Sequence, residues 1–324
     1  MKRSTVFLDL QNKRTSAFAR GDWRTNCERL TDAWGKARRE GRFTDVTFSV
    51  ESDEDKQVFQ AHKCVLAFGS PVFEAMFYGG IPEQNNPISI IGITPAAFEN
   101  LLRYLYSEPI TLEATSCAFD TYEAAERYDV PQLRKQCDDY ISRANLNDYS
   151  VWTVLSKAVF YNMAQTKVTS LNYVSKNAEK LLLLKEFQNL TLDVVHKILE
   201  CERLQISEFK LLLALTSWGV ANKKNGPLSE FLKPLLKEVC YNKISTNDFC
   251  KFIEIYPNAF SAIDALALMK HIHCSTYKKP NWCSSNRHPT MYRVPRCNVS
   301  PPPFLHRTVE YDPLIKYFAK ICQG

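Results

Sequence analysis

The chain has 324 residues, of which 45% are hydrophobic and 12% aromatic, and its formal net charge is +6. This length exceeds that of one small domain, and the apolar content is sufficient for two compact units. Only ten glycines are present, which argues against a loop-rich barrel, a propeller or a glycine-rich phosphate-binding loop. The remaining composition favours helices.

The positive charge is concentrated in residues 275–324. This segment has eight Lys or Arg against two Asp or Glu, contains seven of the sixteen prolines and shows no helical period. We predict a basic, Pro-rich tail that is extended or disordered. Such a tail can hold nucleic acid or an acidic partner, but it is more often a solvated segment, so we do not expect nucleic-acid binding.

The N-terminus and the cysteines predict a reducing compartment. The apolar residues 6–8 are interrupted by Asp9, so they do not form the apolar region of a signal peptide. No apolar stretch approaches the length of a membrane span. The eleven cysteines are therefore expected to be reduced, in the cytoplasm or the nucleus.

The first part of the chain predicts a small sheet flanked by helices over residues 25–144. Residues 1–24 are polar and unpatterned, and we predict that they are disordered. Apolar residues then share a helical stripe, formed by Cys27, Leu30, Ala33, Trp34 and Ala37. Alternation over 45–50, a turn and a return over 58–61 predict a hairpin. Ser70 and Pro71 suit a helix start, a short strand follows at 88–91, and later helices begin at Pro95 and cover 118–128 and 131–141.

The second part predicts an all-α domain over residues 145–274. Asn145–Asp148 is a polar boundary, beyond which apolar residues recur at helical spacing with short polar connections. The predicted helices lie near residues 150–161, 168–178, 181–187, 192–200, 208–222, 231–240, 245–253 and 259–271.

Several blocks of the first domain, in the same order, resemble the BTB (POZ) domain. They are Phe43–Val46, Ala61–Ala67, Ser70–Phe73, Ala75–Phe77, Phe98–Tyr106 and Ala124–Tyr128. The second domain resembles the BACK domain, in the helix pair 187–199 and in Ser207-Glu208 followed by Leu212, Leu215 and Trp218. The resemblance covers about residues 22–272 and implies an α+β chain, a BTB/POZ domain followed by a helical BACK domain. We expect neither a Kelch propeller nor a PHR module in the Pro-rich remainder.

The resemblance also implies a homodimer. In BTB proteins the helix corresponding to residues 25–36 packs against a second protomer about a two-fold axis, and Leu30, Ala33 and Trp34 would form that surface. The Asp that matches Asp45 is buried near this interface, where a carboxylate must be hydrogen-bonded or paired. The alternatives are that the stripe packs on its own domain and that Asp45 is a turn residue at the strand edge.

A cullin-binding surface is implied by the loop after residue 77. Cullin-binding BTB proteins carry a hydrophobic-X-Glu pattern there, and Ile81-Pro82-Glu83 is similar. Ile81 would anchor in an apolar groove while Glu83 caps or pairs with a cullin helix. We predict that the surface consists of Phe77, Tyr78, Ile81, Glu83 and Tyr106, extended by helices 150–161 and 168–178. The alternative is an ordinary polar loop.

We find no nucleotide-binding fingerprint and no nucleophile with an identifiable base, so an enzyme is not predicted. His62 and Lys63 fit the BTB pattern, and a lone His beside a buried helix is more often structural than catalytic. The residues whose chemistry suits zinc are His271, His273, Cys274, Cys283, His288 and Cys297. They lack a closely spaced Cys pair, so we predict neither a metal nor a cofactor.

These observations predict a homodimeric adaptor of a cullin-RING E3 ubiquitin ligase, which links an unidentified protein substrate to the cullin through its BTB domain. The alternative is a BTB-dimer scaffold or transcriptional co-regulator without a role in ubiquitin ligation. Against this alternative, no tandem zinc fingers follow the first domain, as they do in DNA-binding relatives.

Overall fold

A computed structural model describes residues 22–52, 56–201 and 203–283. The first part of the chain is a small sheet surrounded by helices. In chain order its elements are α1 (Leu30–Arg39), β1 (Val46–Glu51), β2 (Lys56–Ala61), α2 (Lys63–Gly69), α3 (Pro71–Tyr78), β3 (Ile88–Ile91), α4 (Pro95–Leu105), α5 (Thr115–Arg127) and α6 (Pro131–Ser142).

Strand β1 lies at the centre of the three-stranded sheet, antiparallel to β2 and parallel to β3. As its alternating pattern predicts, Val46, Phe48 and Val50 are buried while the residues between them are not. Phe48 has no exposed surface and makes an edge contact with Phe98 at 5.2 Å between ring centroids. This aromatic contact fastens the sheet to α4.

The predicted start of α3 is confirmed. Ser70 Oγ accepts a hydrogen bond from the Phe73 N–H at 3.2 Å, and the same hydroxyl donates to the Tyr128 carbonyl at 2.5 Å. Pro71 occupies the first turn, where its missing N–H costs nothing. Ser70 therefore both begins α3 and ties it to the end of α5.

The second part of the chain is helical, as predicted, and the α+β fold class is confirmed. Its elements are α7 (Ser150–Phe160), α8 (Ala164–Lys176), α9 (Ala178–Leu181), α10 (Leu192–Leu199), α11 (Glu208–Asn222), α12 (Leu228–Leu236), α13 (Thr246–Ile255) and α14 (Ala262–His273). Two 3₁₀ turns lie at Lys185–Asn189 and Tyr241–Lys243.

Several predicted helix bounds shift by up to four residues, and two predicted helices differ in a way that the structure explains. Helix α1 begins at Leu30 rather than near Thr25, because Asn26 has φ of +86°, which a right-handed helix cannot contain. The predicted helix over 181–187 is instead the end of α9 followed by a 3₁₀ turn. Leu181 and Leu182 are buried in the helical core, and Leu183 and Leu184 are partly buried against it, which explains the apolar run without a continuous α-helix.

Helix α7 belongs to two hydrophobic cores. Val154 and Ala158 pack into the core of the first domain, together with Met163 just after the helix. Val151 and Leu155, on another side of α7, pack into the core of the helical domain. The domain boundary predicted at 144/145 therefore lies between helices α6 and α7. It does not separate the two hydrophobic cores, because residues beyond it complete the core of the first domain.

The end of the described chain also packs on the helical domain. Trp282 stacks on Phe260 at 6.2 Å, and Cys283 is buried in the same core, although both residues were assigned to the tail that begins at residue 275. Residues 1–24 were predicted to be disordered, and of these only Asp22–Arg24 are described. The predicted tail lies outside the described residues from residue 284 onward. Within the part of the chain that is described, no helix is both long and apolar enough to cross a bilayer.

Candidate protein-binding surfaces

Helix α1 has an inner and an outer face. Ala33 and Ala37 are buried against their own domain, whereas Leu30 and Trp34 are 68% and 39% exposed. The prediction that Ala33 lies on the dimer surface needs correction, because its small side chain lets the helix approach its own domain closely. In the single chain, the outward apolar surface of α1 is formed by Leu30 and Trp34.

A buried arginine holds α1 in place. Both terminal nitrogens of Arg38 donate to the Glu99 carboxylate on α4, at 2.8 and 2.7 Å, and one of them also donates to Glu108 at 3.2 Å. The guanidinium lies 5.5 Å from the centre of the Tyr106 ring. A paired, bidentate guanidinium of this kind fixes orientation, since breaking it would leave a buried charge. The exposed face of α1 is therefore presented in a defined direction.

Phe68, at the end of α2, extends the exposed apolar surface and was missed by the sequence analysis. It is 89% exposed. Its neighbour Gly69 lines a depression of about 560 Å³ together with Arg29, which precedes Leu30. The end of α2 and the start of α1 therefore lie at the same depression. We define Leu30, Trp34 and Phe68 as the α1–α2 apolar surface.

Asp45 lies at the start of β1 and is exposed in the single chain. Its Oδ1 accepts a hydrogen bond of 2.7 Å from the N–H of Lys63, the first residue of α2. A carboxylate at a helix N-terminus satisfies a backbone donor and interacts favourably with the helix dipole. The burial that the resemblance implies for Asp45 is therefore not found within one chain, where the residue caps α2.

The loop after α3 presents an isoleucine to solvent. Ile81 is 95% exposed and Tyr78 is 58% exposed. The loop is anchored at both sides, because the Gly79 N–H donates to the Ala75 carbonyl at 3.1 Å and the Glu83 N–H donates to the Met76 carbonyl at 2.9 Å. A Cβ at Gly79 would lie 2.3 Å from the Ala75 carbonyl oxygen, so the close turn requires glycine there.

Glu83 is half-buried and holds its own loop. One carboxylate oxygen accepts a hydrogen bond of 2.8 Å from the Asn85 N–H. Among the described residues Glu83 forms no ion pair, so its charge is not neutralised by a neighbouring side chain. The loop thus combines an exposed apolar side chain with a carboxylate two residues later.

Two of the residues predicted to bind a cullin are buried instead. Phe77 is 6% exposed and Tyr106 has no exposed surface, so in this conformation neither side chain can contact another protein. Phe77 stacks parallel to Phe73 at 5.8 Å and supports the loop from beneath. Burial raises the pKa of the Tyr106 hydroxyl, which therefore stays protonated.

Tyr106 and His62 form a structural pair. The His62 backbone N–H donates to the Tyr106 hydroxyl at 2.8 Å, and His62 Nε2 contacts the Arg42 carbonyl at 2.7 Å. A carbonyl can only accept, so in the neutral ring Nε2 carries the proton and Nδ1 accepts from the Tyr106 hydroxyl at 2.7 Å. Both ring nitrogens are thus satisfied, which agrees with the structural role expected for His62.

The described part of the chain contains no group of three or more His, Cys, Asp or Glu arranged to hold a metal ion. Of the zinc ligands considered above, Cys283 is buried in the helical core and His271 Nδ1 donates to the Tyr277 carbonyl at 2.8 Å. Cys274 Sγ lies 3.0 Å from Thr276 Oγ1. His288 and Cys297 lie outside the described residues.

Comparison with known proteins identifies both domains. The BTB/POZ domain model matches residues 35–145, and the BACK model (BTB And C-terminal Kelch) matches residues 151–254. The chain is 34% identical over 200 residues to BTB/POZ domain-containing protein 6-B of Danio rerio, covering 61% of this chain and 41% of that protein. It is 33% identical over 180 residues to BTB/POZ domain-containing protein 6 of Homo sapiens, covering 56% and 33%.

The chain thus spans less than half the length of these curated relatives. Among solved structures, the BTB domain of zebrafish PATZ1 is similar, with 27% identity and a TM-score of 0.30, covering 36% of this chain and 90% of that one. The two domain models match in order and together span most of the described residues. The chain therefore contains a BTB/POZ domain followed by a BACK domain.

Proposed function

We propose that this chain is a non-enzymatic, homodimeric adaptor that links a protein substrate to a cullin-RING ubiquitin ligase. Proteins that combine BTB and BACK domains, as this chain does, often act as cullin adaptors or as scaffolds. The adaptor would act by proximity: it holds the substrate near the ubiquitin-transfer machinery and performs no bond chemistry itself. Two copies in one complex would add bivalent engagement of the scaffold.

The α1–α2 apolar surface supports the dimer. Three large apolar side chains, Leu30, Trp34 and Phe68, are exposed on two helices whose ends border the same depression. Burying such side chains stabilises an assembly by about 1.5–3 kcal/mol each. A two-fold axis would bring the same surface of a second copy against them, which is how an isologous interface forms.

The exposure of Ile81 is the observation that carries the cullin proposal. At 95% exposed, Ile81 makes almost no contact with its own chain, although the loop on either side of it is hydrogen-bonded to α3. A rigidly presented apolar side chain can enter a groove on a helical partner at little entropic cost. Glu83 would then meet donors of the partner helix while Tyr78 contributes contact area.

The test is binding of the full chain to a recombinant cullin N-terminal region, measured by biolayer interferometry. We expect Ile81→Ala combined with Glu83→Ala to weaken binding at least tenfold, about the effect of removing one interface hot spot. The matched control is Ile263→Ala combined with Glu254→Ala, because Ile263 is 82% exposed and lies in the other domain. Unchanged affinity in the loop variant removes the site, and no binding by the unmodified chain removes the cullin proposal.

A further inference from the structure

The helical domain contains a groove that lies outside the surfaces described above. It has a volume of about 600 Å³ and lies between the end of α11, the start of α12 and the connection from α13 to α14. That volume falls in the range of sites that bind small molecules or peptide side chains. Val220, 53% exposed, forms part of its wall, with Pro227 and Leu228 at the start of α12.

The aromatic part of the groove lining is firmly packed. Tyr256 and Phe260 line it from the α13–α14 connection. Phe252 holds both rings, with centroids at 5.4 Å from Tyr256 and 5.8 Å from Phe260. Trp282 stacks on Phe260 from another direction. Because each ring is supported by another, an occupant would meet a preformed surface, which lowers the cost of binding.

The part of the groove at the end of α11 carries positive charge. Lys223 lines the groove and Lys224 follows it, and neither side chain forms an ion pair within the described part of the chain. Two carboxylates lie nearby along the chain. Glu230, on α12, is paired with Lys233, and Glu254 precedes Ile255 on α13. An occupant with negative charge beside an apolar group would therefore complement both parts of the groove.

We propose that this groove binds a short, extended peptide segment of the recruited protein, in which an apolar side chain is flanked by Asp or Glu. The apolar side chain lies between Val220 and the Tyr256 and Phe260 rings, and the carboxylates lie against Lys223 and Lys224. This inference rests on the proposed adaptor function, for which it supplies the class of substrate segment. Cullin binding at the Ile81 loop and peptide binding at the groove involve different domains, so a variant can lose one and keep the other.

The experiment selects a phage-displayed library of random dodecapeptides against the full chain and then titrates the enriched peptides by fluorescence anisotropy. We expect enriched peptides to carry one apolar residue next to acidic residues, with affinity that falls as salt rises. Val220→Asp should weaken their binding at least about tenfold, because it replaces an apolar contact with a carboxylate that repels an acidic peptide. Lys223→Glu with Lys224→Glu should weaken acidic peptides and favour basic ones.

The control is Val58→Asp, since Val58 is 60% exposed on β2, in the other domain. Thermal melts and cullin affinity are measured for every variant. If Val220→Asp unfolds the chain, the exposed lysine pair still decides the question. The proposal is overturned if no peptide is enriched, if the enriched peptides lack acidic residues, or if the groove variants bind as tightly as the control. Loss of cullin binding alone would count against the adaptor function and leave the groove intact.

Discussion

The Thr166 N–H donates a hydrogen bond of 2.8 Å to Oδ1 of Asp138, and the Thr166 hydroxyl donates to the Asp138 carbonyl at 3.2 Å. The Gln165 N–H donates to the other carboxylate oxygen at 3.0 Å. Asp138 belongs to α6 of the BTB domain, whereas Gln165 and Thr166 form the first turn of α8 in the BACK domain. A buried carboxylate of one domain thus caps a helix of the other.

Asp138→Ala should therefore destabilise the whole chain. It leaves two N–H groups at the start of α8 without a partner, which we expect to lower the free energy of unfolding by about 2 kcal/mol and Tm by about 5 °C. Differential scanning fluorimetry measures the effect. Asp139→Ala is the control, because no hydrogen bond or ion pair of that side chain is found among the described residues. Equal melting temperatures for the two variants would contradict the assigned role of Asp138.

The Tyr106→Phe variant tests whether Tyr106 stabilises the fold or contacts a cullin. Removal of the hydroxyl leaves the His62 N–H and ring nitrogen without their partner, so we expect a loss of about 1–2 kcal/mol in the free energy of unfolding. Cullin affinity of the folded protein should be nearly unchanged, since Tyr106 is not exposed. Urea titration and biolayer interferometry measure the two effects, with Tyr104→Phe as control. A large loss of cullin affinity at unchanged stability would show that Tyr106 contributes to the cullin-binding surface after all.

The α1–α2 apolar surface predicts the oligomeric state. Multi-angle light scattering on the full chain should give the mass of two 37.3 kDa chains. Leu30→Asp combined with Trp34→Asp should shift the protein to monomer, because two carboxylates would be buried at the contact. Leu266→Asp, at a leucine 55% exposed on α14, should leave the dimer intact. A monomeric unmodified chain would refute the dimer, and a dimeric double variant would refute the surface.

The thiols should differ strongly in reactivity. Burial raises the pKa of Cys137 to about 12 and that of Cys283 to about 11, from a usual value of 9.0. The neutral thiols are thus favoured in the fold; their stabilising contribution is complete below pH 9 and is lost as pH rises through 11 and 12. At pH 8 we expect iodoacetamide to label the exposed Cys64 at least about tenfold faster than either, as read by mass spectrometry.

Denaturation with urea should remove that difference, which provides the control. Rapid labelling of Cys283 in the native chain would show that the segment carrying Trp282 is not packed on the BACK domain in solution. Rapid labelling of Cys137 would instead indicate opening of the BTB core.

Local patterns predicted much of the fold. The alternation of Val46, Phe48 and Val50 places β1, and the cap formed by Ser70 places α3, since both depend on neighbouring residues. The start of α1 could not be predicted in this way, because it depends on the backbone conformation of Asn26. Periodicity also could not tell which side of α1 faces the domain, and Ala33 was assigned to the wrong side.

The surfaces were less predictable than the elements. Tyr106 is held by His62, a residue distant in sequence, so its burial has no local signature. Phe68 lies in an apolar segment and reads as a core residue, although only Leu66 of α2 is buried. The groove is assembled from three separate stretches of the BACK domain, and no single stretch carries a recognisable motif.

Helix α7 packs into the hydrophobic cores of both domains. This affects where the chain can be cut and how the domains can move. A fragment that stops at residue 145 would expose the patch normally covered by Val154, Ala158 and Met163, so a stable excised BTB domain should extend beyond Met163. The same helix also prevents free swivelling between the domains. In the proposed adaptor, a substrate bound to the helical domain would therefore be held at a fixed distance and orientation relative to a protein bound at the Ile81 loop.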